Sequence, residues 1–193
     1  MRAKLDVRAS SGFTLIEMAI VLVIIGLILG AILKGQEMIK NAKIKRLKAD
    51  VDSIVAATYS YQDRYGFLPG DDPNADARFG NGCTGDGDGV LDNSEVICFW
   101  KDLIDAGFIS GNAAGTTEAD VAKRDPFGTY YMVRYGSRNG VSGWLIEAYN
   151  IPTDVVYSLD TKYDDGIYNS GDIQSSHDYN NLNTLTTLYW FAF

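Results

Sequence analysis

Residues 12–33, GFTLIEMAIVLVIIGLILGAIL, hold one ionisable side chain, Glu17, near the start of an otherwise apolar run. A carboxylate in hydrocarbon costs several kcal/mol unless a cation or hydrogen-bond donors meet it. Its partner has to be close, and no basic side chain lies within the run. Left alone, Glu17 either stays protonated or rises to the headgroups.

A second set of oxygen ligands lies at residues 84–95, TGDGDGVLDNSE. Laid onto the EF-hand loop pattern, Asp86 and Asp88 take the third and fifth places, Gly89 the sixth and Leu91 the apolar eighth. Val90 offers its carbonyl at the seventh, Asp92 is ninth and Glu95 closes the loop at the twelfth. Thr84 stands where an aspartate is expected, which removes one charged ligand and weakens affinity. Oxygen-only ligands in this alternation suit a hard cation, calcium above all. A glycine-rich acidic turn without metal has the same composition.

Cys83 and Cys98 are the only cysteines. Near a membrane segment their spacing suits one disulfide formed outside the cytoplasm, worth about 3 kcal/mol, which would clamp both ends of the acidic loop. Two reduced, buried thiols are the alternative. His177 is the single histidine and sits beside Asp178 in a polar stretch, with no companion at metal or catalytic spacing. No phosphate loop or nucleophile elbow follows a strand. The expectation is a protein that is not an enzyme and needs no cofactor besides a calcium ion.

The elements that must position these groups follow from periodicity. Residues 13–33 would span about 32 Å as a helix, enough for one crossing of a bilayer. Gly26 and Gly30 make a small-xxx-small pair compatible with close helix approach. Beyond the span, Ile44, Leu47, Val51, Ile54, Thr58, Tyr61 and Tyr65 recur at spacings of three and four, with Lys43, Lys45, Lys48, Asp52, Gln62 and Asp63 between them. The helix therefore continues as an amphipathic stretch over 34–65 and stops at Gly66, ahead of Pro69. Residues 66–89 read as a long loop. A short helix fits 93–107, with Gly107 closing it. TYYMVRY (129–135) and GWLIEAY (143–149) alternate around a loop GSRNGVS and form a hairpin. Residues 153–163 add a turn or two of helix, and DIQSS and TTLYWFAF complete about four strands. The fold class is α+β: a long N-terminal helix on an antiparallel sheet of about four strands, with the apolar face of 34–65 as one wall of the core.

Gly12, Phe13, Thr14, Leu15, Ile16 and Glu17, followed by the unbroken apolar run, resemble the N-terminus of type IV pilins and type II secretion pseudopilins. The resemblance covers about a fifth of the chain. It implies that residues 1–12 are a leader, that a membrane-embedded prepilin peptidase cuts between Gly12 and Phe13, and that Phe13 becomes N-methylated. It implies further a homopolymer, an inner-membrane assembly platform, and a pilin-like head over 66–193. The resemblance also supplies a partner for Glu17. The new amine at Phe13 is cationic, and the helix dipole there favours an anion. The two meet either within one chain or, as the family implies, between neighbours along a fibre. The stretch 159–172, with Asp160, Asp164, Asp165, Asp172 and Asn169, resembles the acidic loop near the C-terminus of pseudopilin heads, where calcium is bound. Its spacing matches no defined loop, and Lys162 is an equally available partner for a neighbouring acid.

Charge separates the two ends of the chain. Residues 1–48 hold nine Lys/Arg against three acids, and residues 49–193 hold eight against twenty-two, giving +6 and −14. An acidic head disfavours generic nucleic-acid binding and welcomes cations. Six basic residues after the span against three in the leader would, on count alone, place the head in the cytoplasm. The implied leader and the cysteine pair place it instead in the periplasm, with the chain single-pass in the inner membrane before it enters a filament. The basic stretch then lies against anionic lipid or simply in solvent. The functional expectation is a subunit of a type IV pilus-like filament. A secretion pseudopilin and a non-polymerising, membrane-tethered calcium-binding or adhesive domain are the alternatives.

Overall fold

A computed structural model describes residues 12–192. The first element, α1 (Leu15–Tyr65), is one unbroken helix of 51 residues. Its Gly26, Gly30 and Gly35 do not interrupt it. It ends as the sequence predicts, with the Gly66 amide donating to the Gln62 carbonyl at 2.8 Å and Gly66 in the left-handed region. The chain divides within this helix into two compact units, at Asn41 and Ala42, so the second unit includes the latter part of α1.

In the first unit the apolar side chains are exposed. Ile20, Val21, Leu22, Val23, Ile24, Leu27 and Ile28 are all at least 48% accessible, and the most apolar window of α1 has no buried residue. By length and composition this segment can cross a membrane.

The second unit is built as expected on an amphipathic helix face. Ile44, Leu47, Val51, Ile54 and Tyr61 are buried in the main core with Phe99, Trp100, Tyr131, Val133, Ile146, Ala148, Leu188 and Trp190. Four antiparallel strands form one sheet in the order β1-β2-β4-β3: β1 (Tyr131–Arg138), β2 (Val141–Pro152), β3 (Ile173–Ser175) and β4 (Leu185–Phe191). Leu145, Tyr189 and Phe191 gather in a separate small cluster. The α+β pilin-like plan is therefore the observed one.

Several details correct or extend the sequence reading. GSRNGVS is not a loop: β1 runs to Arg138 and β2 starts at Val141, joined by Asn139 and Gly140 alone. Both have positive φ, 47° and 87°, the conformation a two-residue hairpin turn demands. Residues 66–89 contain a short helix, α2 (Ala75–Phe79), closed by Gly80. Another short helix, α4 (Glu118–Val121), starts at a capping box between Thr117 and Asp120. Helix α3 (Val96–Asp105) ends in a Schellman motif, with Phe108 N donating to the Leu103 carbonyl and Gly107 N to that of Ile104. Helix α5 (Thr153–Tyr163) makes three turns rather than one or two. β2 reaches it through a bulge, where the register with β4 shifts between Ala148 and Ile151 and Asn150 has φ 56°.

Polar links tie α1 to the sheet. Asp50 is buried on α1 and takes Lys123 Nζ at 2.9 Å and Tyr131 Oη at 3.2 Å. These connect residues 73 and 81 positions apart, so the pairing fixes where the helix lies on the sheet.

Candidate functional site

At the start of α1 the local sequence is a capping box. Thr14 N and Oγ1 both donate to Glu17 Oε2, at 2.8 and 2.7 Å, and Glu17 N donates back to Thr14 Oγ1 at 3.3 Å. The lone carboxylate is thus held by the residue three positions before it, and the Glu17 amide gains a partner. The sequence reading weighed a solitary Glu17 or an amine at Phe13 and missed this arrangement, although a threonine three residues before a glutamate is its signal. Gly12 and Phe13 are exposed, Phe13 at 84% accessibility. Gly26 and Gly30 face open space, so a Cβ at either would meet nothing in this chain.

The loop from Asp86 to Glu95 is organised by an acid outside it. Asp71, 2% exposed, accepts the amides of Gly87 and Gly89 at 2.7 and 2.8 Å. Gly70 and Gly85 make this approach possible. A Cβ on Gly70 would stand 2.8 Å from the Phe99 amide and 2.9 Å from the Glu95 carbonyl, and one on Gly85 would overlap the Asp71 backbone. Carboxylate oxygens of Asp71, Asp86 and Glu95 lie within 4.8 Å of one another. Asp71 thus brings a buried carboxylate to this loop from outside it. Of the other predicted ligands, Asp88 is exposed and caps its own turn, Oδ1 accepting the Val90 amide at 2.8 Å. Asp92 Oδ1 takes Ser94 N and Oγ and Glu95 N in the turn that precedes α3, and the Ser94 hydrogen bonds hold the Asp92 carboxyl below the usual range. Burial pushes the Glu95 carboxyl up, with the amides of Asp92 and Asp86 opposing. Such an arrangement of hard oxygens can hold a divalent cation.

The cysteines are joined: Cys83 and Cys98 form a disulfide with Cα atoms 5.5 Å apart. It pins the start of the acidic loop to the first turn of α3.

A second group comprises Asp160, Asp164 and Asp165, whose oxygens also lie within 4.8 Å. Asp160 is buried, accepting Gly166 N at 2.8 Å and Tyr179 Oη at 2.6 Å, and burial pushes its carboxyl up. Asp165 is held below the usual range by Ser170 and the Ile167 amide. Asp164 accepts the Ile173 amide at 2.7 Å. Asp172 and Asn169 are exposed and stand outside this group; the Asp172 carbonyl instead takes the Phe191 amide at 2.8 Å.

The basic stretch after the span is largely engaged with the chain itself. Lys34 pairs with Glu37 at 2.8 Å, Arg46 with Asp50 at 3.6 Å and Lys48 with Asp52. Lys43 lies over the Phe127 ring at 4.6 Å, and Lys48 over Tyr163 and Trp190. Exposed His177 shares a hydrogen bond with Ser176, Nδ1 to Oγ 2.9 Å.

Among comparisons with known proteins, residues 7–33 match the family model described as the prokaryotic N-terminal methylation motif. This is the class III signal peptide of type IV pilin-like proteins, and it implies processing by a prepilin peptidase. Neither curated proteins nor solved structures give a significant match.

Proposed function

We propose that this chain is a structural subunit of a type IV pilus-like filament, cut between Gly12 and Phe13, N-methylated on Phe13 and polymerised through the apolar part of α1. The observation that carries this reading is the methylation motif opening a helix whose first, apolar part leaves its large side chains exposed. Such a surface needs lipid before assembly and like helices afterwards. A bundle of neighbouring copies supplies both removal from water and, through Gly26 and Gly30, close contact.

In this reading Thr14 holds Glu17 in the precursor, and cleavage creates a cation one residue from Thr14. An incoming subunit whose Glu17 meets a waiting Phe13 amine is neutralised, and that match sets the register of the fibre. The disulfide supports a head on the oxidising side of the inner membrane. The clustered oxygens of Asp71, Asp86 and Glu95 support a calcium ion that rigidifies the head.

The test is Glu17→Ala in the native host. Variant chains should accumulate in the membrane but be lost from sheared filaments, in which wild-type chains begin at methylated Phe13 by mass spectrometry. Equal activity of the variant, with no chain in any filament, would instead identify a tethered domain. Long surface fibres separate a pilin from a secretion pseudopilin.

A further inference from the structure

The strongest feature outside the N-terminal helix and the loop around Asp71 is a groove of about 590 Å³ between α5, the turn at Gly166 and the segment before β4. It is open to solvent along most of its surface rather than enclosed, so a ligand would lie against it. Three tyrosines line it: Tyr157 and Tyr179 with centroids 5.1 Å apart, and Tyr168 edge-on to Tyr179 at 6.2 Å. Tyr157 and Leu182 are exposed at its lip. Its polar lining is Asp178 and Asn180, where Asn180 Nδ2 donates to Asp178 Oδ2 at 2.8 Å.

We infer that this groove binds an uncharged saccharide, with a pyranose ring laid against Tyr157 and its hydroxyls shared between Asp178 and Asn180. The weakly positive C–H edges of a sugar ring suit the negative face of an aromatic ring. The Asp178–Asn180 pair offers carboxylate acceptors together with the second amide hydrogen of Asn180, and a hydroxyl uses both roles. An organic cation would use the acceptors alone. Anionic ligands are opposed by Asp178 in the lining and by Asp160, which Tyr179 contacts. Tyr179 is fixed for this task, because its hydroxyl is spent on Asp160 at 2.6 Å and its ring is left to the groove. The inference does not depend on whether the chain polymerises.

The experiment uses the full chain in a polyoxyethylene detergent, which carries no sugar. Saturation-transfer NMR is run with glucose, galactose, N-acetylglucosamine and short β-linked oligomers of each at millimolar concentration. At least one should receive saturation, and Tyr157→Ala and Asp178→Ala should each weaken it by about tenfold. Asp178 is exposed, so Asp178→Ala should match wild type in circular dichroism and melting temperature, while Tyr157→Ala, which loses the ring contact with Tyr179, should keep the wild-type circular dichroism spectrum. The proposal is overturned if no saccharide binds, if tetramethylammonium binds in their place, or if binding survives both substitutions.

Discussion

The amide of Gly70 donates to Asp102 Oδ2 at 2.8 Å, joining positions 32 residues apart. Asn81 Nδ2 holds the other oxygen at 2.9 Å, so a fully buried carboxylate on α3 anchors the loop that carries Asp71. No cation meets Asp102 among its described partners, which are an amide and a carboxamide. Burial, reinforced by the charges of Asp72 and Asp105, pushes its carboxyl up to about 6 against these hydrogen bonds.

A raised acid binds its proton more tightly in the folded chain than in the unfolded one. Between about pH 4 and pH 6 its contribution therefore falls as pH rises, with about 2 to 3 kcal/mol lost across the window. Asp102→Asn removes this dependence while adding a fixed cost where its amide faces Asn81. The stability of the variant minus that of wild type should thus grow by about 2 to 3 kcal/mol from pH 4 to pH 7. Urea unfolding at both values measures it, and a flat difference would assign Asp102 an ordinary acidity.

The disulfide closes a loop across a sequence separation of 15. Replacing both cysteines by serine should cost about 3 kcal/mol, mainly by freeing the unfolded chain. Denaturant midpoints of oxidised wild type and of the double variant give the number. Because the bond clamps the loop containing Asp86 and Glu95, the same variant should also bind calcium more weakly.

Asp71 is the pivot of the proposed calcium site. Wild-type protein should melt at a higher temperature in calcium than in chelator, with a gain of about 2.7 kcal/mol once calcium is a hundredfold above its dissociation constant. Asp71→Asn removes a buried charge from the group with Asp86 and Glu95 and should abolish the difference. Asp88→Asn, at an exposed carboxylate outside that group, should reduce it less. Identical melting curves with and without calcium would leave the acidic loop as a hydrogen-bonded turn.

What the sequence showed and what it concealed divide by range. Helical spacing of Ile44, Leu47, Val51, Ile54 and Tyr61 placed the core face of α1 correctly, because a long helix advertises its buried side every three or four residues. Gly66 and Gly107 marked two helix ends for equally local reasons. The Asn139–Gly140 turn was just as legible and was passed over in favour of a seven-residue loop. Asp71 was not legible as part of the acidic loop. Its place there depends on a close backbone approach through Gly70 and Gly85, fixed only when α3 packs. The groove at Tyr157, Tyr168 and Tyr179 was hidden in the same way, since its rings come from three separate segments.

The two parts of α1 should respond oppositely to the same kind of deletion. Leu47 is 0% exposed in the main core, so Leu47→Ala leaves a cavity against the sheet and should destabilise the head by about 2 to 5 kcal/mol. Val23 is 63% exposed and touches no core, so Val23→Ala should change head unfolding by no more than about 0.5 kcal/mol. Urea unfolding of the full chain in detergent, followed by tryptophan fluorescence, reads only the second unit, where Trp100, Trp144 and Trp190 all lie. Filament yield from cells reverses the order of interest. A Val23 packed between helices of neighbouring copies loses its contacts on truncation, and fibres of Val23→Ala should fragment under shear that wild type survives. If Val23→Ala lowers neither fibre strength nor yield, the apolar surface of α1 serves the bilayer alone.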